Sequence, residues 1–506
     1  MRKISVLLIG LFLLGCTSTP EPKTYESTWE SLSEHKAAPE WFRDAKLGIY
    51  FHWGVYSVPA YGNEWYPRWM HFEWNETYKH HLANYGHPSE FGYHDFVPMF
   101  KAENFDANEW ADLFVKAGAK FAGPVAEHHD GFSMWDSDAT PWNAADMGPK
   151  RDITGELAKA IRERDLKLIT TFHHARHLQR YKETAREELE SEGDRRRKFR
   201  MSHYPYFEGL PPVSEDKELK YLYGNIPEDQ WLEEVWFGKL KEVIDQYQPD
   251  IIWFDSWLDQ IPEEYRQKFS AYYLNEAEIW QKEVVIVRKQ DDLPLNYTVD
   301  DLEKSRKNRL EPEPWMTDET ISKGSWCYTE NLEIKKSMDV LHVLIDIASK
   351  NGVLLLNISP MADGTIPEIQ VAVLTDMGHW LGKYGEAIYE TRPWYTFGEG
   401  PTKEPEGHFQ NRQGFLNLKY SWKDVRYTTK DEIIYATLLG WPGEGEEVVL
   451  SSFSTDSLPE PLEVETVTLI GSKEELIWDQ SDAGLSIKIP AVAPDEMAVV
   501  FKIEKK

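Results

Sequence analysis

Residues 127–138 read EHHDGFSMWDSD, two adjacent histidines, a carboxylate and a glycine turn directly after the apolar run KFAGPVA. Such a group suits metal ligation, general base catalysis or the gripping of sugar hydroxyls. Twelve of the 16 histidines fall between His52 and His203, so the N-terminal half concentrates this chemistry. Neighbouring residues on a strand point to opposite faces, so His128 and His129 do not converge on one ion. Neither an H-E-x-x-H helix nor a D-x-D-x-D-G calcium loop occurs, and no metal is expected. A second stretch, WFDSW, sets Asp255 between aromatic residues whose partial desolvation tunes a carboxyl. Glycoside hydrolysis needs two carboxyls, one as nucleophile or base and one as proton donor. The competing reading makes Asp255 a cap for the following helix.

Elements must hold these side chains. From residue 46 to 390, apolar runs read as buried strands: KLGIYFHWG, KFAGPVAEHH, LKLITTFHHA, DIIWFDSW, EVVIVRKQ and NGVLLLNISP. Helix-like stretches alternate with them, among them DANEWADLFVKAG with Gly118 as its stop, DITGELAKAIRERD and DQWLEEVWFGKLKEVIDQY. The alternation implies a parallel sheet with crossover helices, and six to eight units fit a (β/α)8-like barrel better than an open sheet. Polar groups recur at the C-terminal strand tips: His52, His128 and His129, His173 and His174, Asp255, Arg288 and Asn357. In a (β/α)8 barrel those tips meet on one face and build the active site. A charged segment, 180–220, interrupts the pattern as an insertion or a helical excursion. After residue 395 short alternating strands between Gly, Pro and Asp turns predict a C-terminal antiparallel β-sandwich over 395–506.

Composition narrows the partners. At 506 residues the chain exceeds one ordinary core and implies two domains. The net charge of −30 excludes nucleic acid, which needs a basic stripe, and opposes direct binding of sulfated polymers. The 21 tryptophans and 25 tyrosines supply faces suited to the C–H faces of sugar rings, although most belong to the core. The N-terminus, MRKISVLLIGLFLLGC, has a basic start and an apolar run too short for a permanent span. It reads as a secretory signal over residues 1–15 whose end resembles a bacterial lipobox. Cys16 is then the lipidated first residue of the mature chain, and 16–28 form a tether. The expected place is the bacterial cell envelope, with membrane contact by the lipid anchor only. Lipidation of Cys16 leaves Cys327 alone, so no intrachain disulfide and no Cys-based zinc site are expected.

Four longer stretches carry a resemblance: KLGIYFHWGVYSVPAYGNEWY, EHHDGFSMWDSDATPWNAADMGPKRDI, DIIWFDSW and SWCY…NGVLLLNISPMADGTIP. In this order, over roughly residues 40–390, they resemble the α-L-fucosidases of glycoside hydrolase family twenty-nine. The resemblance implies a (β/α)8-like catalytic domain over 29–390, a C-terminal β-domain, and hydrolysis of α-L-fucosides with retention through a covalent fucosyl-enzyme. It implies a fucosylated oligosaccharide or polysaccharide as substrate and no cofactor. Position by position, Asp255 matches the nucleophile; His52, Glu64, Trp65, His128 and His129 match residues holding fucose hydroxyls. Arg288 matches a sugar-site arginine, and Trp326 an aromatic facing the apolar side of fucose. TTFHHARH departs from the family's tyrosine and serine at the third strand end, where His173 stands as a substitute. The acid/base varies in position within the family; Asp300, Asp301, Glu303, Glu311 and Glu313 are candidates, and Glu303 matches best. The alternatives are a barrel hydrolase for a related sugar such as an α-L-galactoside, or an inactive surface sugar-binding lipoprotein.

Overall fold

The computed structural model describes residues 23–179, 202–255, 258–405, 412–456, 458–460 and 462–506. The expected signal segment, 1–15, and Cys16 lie outside these residues, as do 180–201 of the charged segment. Eight parallel strands close into a barrel in chain order, β1 (Leu47–Phe51), β2 (Phe121–Glu127), β3 (Lys167–Phe172) and β4 (Ile251–Phe254) forming the first half. β5 (Val285–Lys289), β6 (Val299–Asp301), β7 (Trp315–Thr320) and β8 (Gly352–Ile358) complete it, and β8 pairs back onto β1.

Strand parity explains the barrel. Tyr50, Phe121, Ile169, Trp253, Val287 and Leu355 belong to one buried cluster that fills the interior. The alternate residues, including Ile49, Leu168, Ile252 and Ile286, join the cluster between strands and helices. β7, WMTDET, carries no apolar run and was not anticipated, because Asp318 and Thr320 on its inward parity serve the site instead of the core. Its neighbour β6 lies in the strand-like NYTVDDLE.

The helices stand where the sequence places them. Helix Ala107–Lys116 is capped by Asp106, whose side chain accepts from the amides of Asn108 and Glu109; helix Ile153–Arg162 is capped by Asp152, which accepts from Gly155. DQWLEEVWFGKLKEVIDQY divides into a π-helical stretch, Trp231–Phe237, and an α-helix, Gly238–Tyr247. The chain is already docked at Tyr25, whose backbone exchanges two hydrogen bonds with the Asn275 amide at 2.7 and 2.9 Å. Tyr25, inside the expected tether 16–28, is therefore held against the barrel domain.

The C-terminal domain consists of antiparallel sheets of five and three strands around their own core, including Tyr427, Leu450, Ile487 and Phe501. Its first strand, β9, spans Arg392–Glu399, so the domain begins slightly earlier than residue 395. A buried network of Asp346 and Lys350 from the barrel with Glu404 and Arg426 fastens the domains.

A second buried pair holds the β2 tip. Lys239 and Glu127 are both fully buried with Nζ and Oε2 2.6 Å apart, and Ser133 donates to the same oxygen. Lys239→Met leaves the Glu127 carboxylate without its cation, which costs about 3–5 kcal/mol. Urea unfolding of the variant is expected to show that loss as a lower midpoint; an unchanged midpoint contradicts it.

Candidate active site

The site grows from the inward parity of the strands. The residues following β1 and β3, His52 and His173, and the final inward residues of β5 and β8, Lys289 and Asn357, meet at the C-terminal mouth. Asp255, one residue past β4, follows Ile251 and Trp253 on the same face.

The turn after β2 brings in His128 and His129. Gly131 makes it possible: its φ of +81° lies in the left-handed region, and a Cβ there meets the His177 ring at 2.4 Å. Asp130 braces the turn, accepting from Tyr93 Oη at 2.6 Å, while its carbonyl accepts from Tyr204 Oη at 2.9 Å. Burial pushes the Asp130 carboxyl up to about 7.

Asn357 orients His52. Its Oδ1 accepts from the His52 amide and from His52 Nδ1, at 2.9 and 2.8 Å, while its Nδ2 donates to the Trp326 carbonyl and to Thr320 Oγ1. The His52 proton is thereby assigned to Nδ1, leaving Nε2 as an acceptor. Burial pushes His52 down to about 3 and holds His128 and His173 well below their ordinary value, so these rings are neutral. His129 faces two acceptors, the His173 carbonyl at 2.5 Å and Asp255 at 3.2 Å. Burial lowers its pKa and the Asp255 charge works in the other direction.

Trp326 lies over His52 with ring centres 5.2 Å apart, and Glu64 accepts from the Trp326 amide at 3.1 Å. Trp65 packs beside His129 at 5.0 Å and His203 at 5.2 Å. These matched residues therefore share one wall. His174 does not join them: it stacks on Trp236 and bonds that residue's carbonyl at 3.1 Å, away from the mouth.

The carboxyls define the chemistry. Lys289 Nζ stands 3.0 Å from Asp255, 3.2 Å from Glu303 and 3.5 Å from Asp318. One ammonium touching both Asp255 and Glu303 keeps their nearer oxygens within about 6 Å, close enough to flank one anomeric carbon. Burial opposes the charge on Asp255, but Lys289 and the His129 ring outweigh it and hold this carboxyl well below the usual range. Glu303 is raised by burial, with Asp318 and Asp255 adding to the rise against the pull of Lys289. One carboxyl is poised as an anion and the other as an acid, the division that acid–nucleophile pairs require.

The remaining acidic candidates stand elsewhere. Asp300 faces outward to Arg288 and Lys307; Glu311 pairs with Arg309 and Glu313 is exposed. Asp301 lies deeper, its carboxyl raised by burial and by Asp318. Lys304, next to Glu303, has φ of +47° and donates its amide to the Asp318 carbonyl at 2.9 Å. This strained turn is of the kind that collects at functional sites.

Two expectations are corrected. Arg288 does not reach the pocket: it has outward parity with Ile286, donates to the Leu293 carbonyl at 2.5 Å and faces Asp291 and Asp300. The adjacent Lys289 supplies the pocket cation, and counting from Val285 and Val287 by twos identifies it. Second, the expectation that no metal ligands converge fails, because His52, His128 and His173 bring ligand nitrogens within 4.8 Å of one another. Search within single segments misses a set assembled from three strand tips. Trp253, two residues before Asp255, was also missed; its ring packs against His173 at 5.2 Å and under the Lys289 ammonium at 4.7 Å. His203 enters from within the charged segment 180–220, its carbonyl and that of Ser202 each accepting from Arg68 at 2.6 Å.

A parallel barrel with two carboxyls of opposed protonation at its mouth is the arrangement of a glycoside hydrolase. Residues 12–386 match the model of the Alpha-L-fucosidase family and residues 420–504 that of the Alpha-L-fucosidase C-terminal domain. The chain belongs to the alpha-L-fucosidase family. It is 31% identical to a tissue alpha-L-fucosidase of Rattus norvegicus across 97% of this chain and 95% of that one. A plasma alpha-L-fucosidase of Rattus norvegicus is 32% identical over 94% of this chain and 92% of its own. The crystal structure of Thermotoga maritima alpha-fucosidase in complex with fucose superposes with a TM-score of 0.72 at 28% identity. It covers 95% of this chain and 100% of its own.

Proposed function

We propose that the protein is a retaining exo-α-L-fucosidase that releases L-fucose from glycans or glycoconjugates. The observation that carries this is the pair Asp255 and Glu303, bridged by Lys289 and held in opposite protonation states. Asp255 attacks the anomeric carbon while Glu303 gives its proton to the departing oxygen. Glu303 then takes a proton from water, which attacks the same carbon and frees Asp255. Neutral His52, His128 and His173, with His129, Glu64 and Trp65, grip the hydroxyls, and Trp326 covers the apolar face. A cavity of about 380 Å³, lined in part by Glu64, Lys304 and Trp326, lies beside this wall and offers room for the leaving glycan.

Activity on three aryl glycosides tests the reading. The α-L-fucoside is expected to turn over fastest, and the β-D-fucoside not at all. The α-L-galactoside is slower by about 10–200-fold, the range for one additional group in a closed pocket. Preference for the galactoside overturns the sugar assignment, and no turnover of any substrate favours a binding protein.

The protein further acts at the bacterial cell envelope, held by lipid on Cys16. LLGC after a short apolar run supports this. Several acyl chains hold firmly where one does not. Labelled palmitate is expected in the wild type and absent from Cys16→Ala; equal labelling, or none in either, contradicts the anchor.

A further inference from the structure

The histidine cluster permits chemistry beyond hydroxyl binding. His52, His128 and His173 are all buried, and their ligand nitrogens lie within 4.8 Å of one another. The ring centres are 5.5 Å apart for His52 and His128, 5.3 Å for His52 and His173, and 4.6 Å for His128 and His173. Three imidazoles on one tetrahedral zinc, with zinc–nitrogen bonds near 2.0 Å, have ring centres about 5 Å apart and donor atoms about 3.4 Å apart. The rings thus already have the spacing of a metal-bound trio. Rotation about the soft χ2 torsions brings the donors together without moving the backbone.

Two further features point to a cation. Nδ1 of His128 and of His173 are buried without a hydrogen-bond partner, so hydrogen bonds do not fix either ring as they fix His52. Asn357 accepts from His52 Nδ1, the outer contact that turns a histidine's other nitrogen toward a metal. An all-imidazole set selects zinc, cobalt, nickel or copper and rejects magnesium and calcium.

We propose that His52, His128 and His173 form a trihistidine site for a divalent transition-metal ion, and that metal and fucose exclude each other there. The exclusion rests on the proposed fucosidase pocket, since a nitrogen that binds a metal cannot accept from a sugar hydroxyl. The metal is an inhibitor in this arrangement, because it occupies the sugar's place beside Asp255.

Cobalt(II) and zinc test this on the full chain, prepared without a polyhistidine tag and stripped with EDTA. The wild type is expected to bind one cobalt with the intense visible bands of a tetrahedral site. His173→Tyr, confirmed as folded by its thermal melt, is expected to lose those bands, and L-fucose to bleach them in the wild type. In turnover assays zinc at ten times its Kd raises the apparent KM about elevenfold with kcat unchanged, as occupancy of a shared site requires. The absence of a tetrahedral spectrum in the wild type, or its persistence in His173→Tyr, overturns the metal site. Bands that require His173 but survive saturating fucose uphold the metal site and overturn the placement of fucose on these histidines.

Discussion

Asp255→Ala is expected to lower turnover by about 10⁴-fold or more on every fucoside, good leaving groups included, because the first bond to the anomeric carbon no longer forms. The removed carboxylate is the one that Lys289, at 3.0 Å, and the His129 ring hold in its anionic form. Azide fits the space of the lost side chain and is expected to restore activity in part, giving a fucosyl azide of inverted configuration. A second consequence follows from the shared lysine. The Asp255 charge helps to raise the Glu303 carboxyl, so its removal lowers the Glu303 pKa. The alkaline limb of the azide-rescued activity therefore moves to lower pH than in the wild type. Activity within tenfold of wild type in Asp255→Ala overturns double displacement at this residue.

Glu303→Ala is expected to separate the two half-reactions. On natural glycans, whose leaving groups need a proton, it lowers kcat/KM by about 10²–10⁴-fold. On an aryl fucoside with an acidic leaving group, the first step survives and the fucosyl-enzyme accumulates, visible as a burst. Azide, which needs no general base, then restores turnover and yields a product of retained configuration. The pH profile gives an independent check. The wild-type rate rises with pH as the depressed Asp255 ionises and falls as pH passes the raised pKa of Glu303. In Glu303→Ala the falling limb disappears on the activated substrate. Near-wild-type activity on natural glycans displaces the acid/base role from Glu303. Among the alternatives only Asp301 is buried near the same lysine, while Glu311 and Glu313 face other surroundings.

The sequence by itself determined the strand tips, because burial on both faces leaves a readable apolar run and the reactive residue comes at its end. KLGIYFH, LKLITTFH and DIIWFD show this for His52, His173 and Asp255. Parity along the strand also carried more than was read from it. Val285, Val287 and Lys289 alternate inward, so Lys289 and not Arg288 meets the carboxyls. β7 stayed hidden because a strand that lends polar side chains to a site loses the apolar signal of a core strand. Tertiary structure alone decided how far apart the tips stand. Barrel closure sets β8 against β1, so that Asn357 fixes the His52 ring, and gathers His52, His128 and His173 from three strands into one cluster. It also lets one ammonium reach Asp255 after β4 and Glu303 after β6, and this decides which carboxyl keeps its proton. Spacing along the chain records none of these contacts, because curvature of the closed sheet creates them.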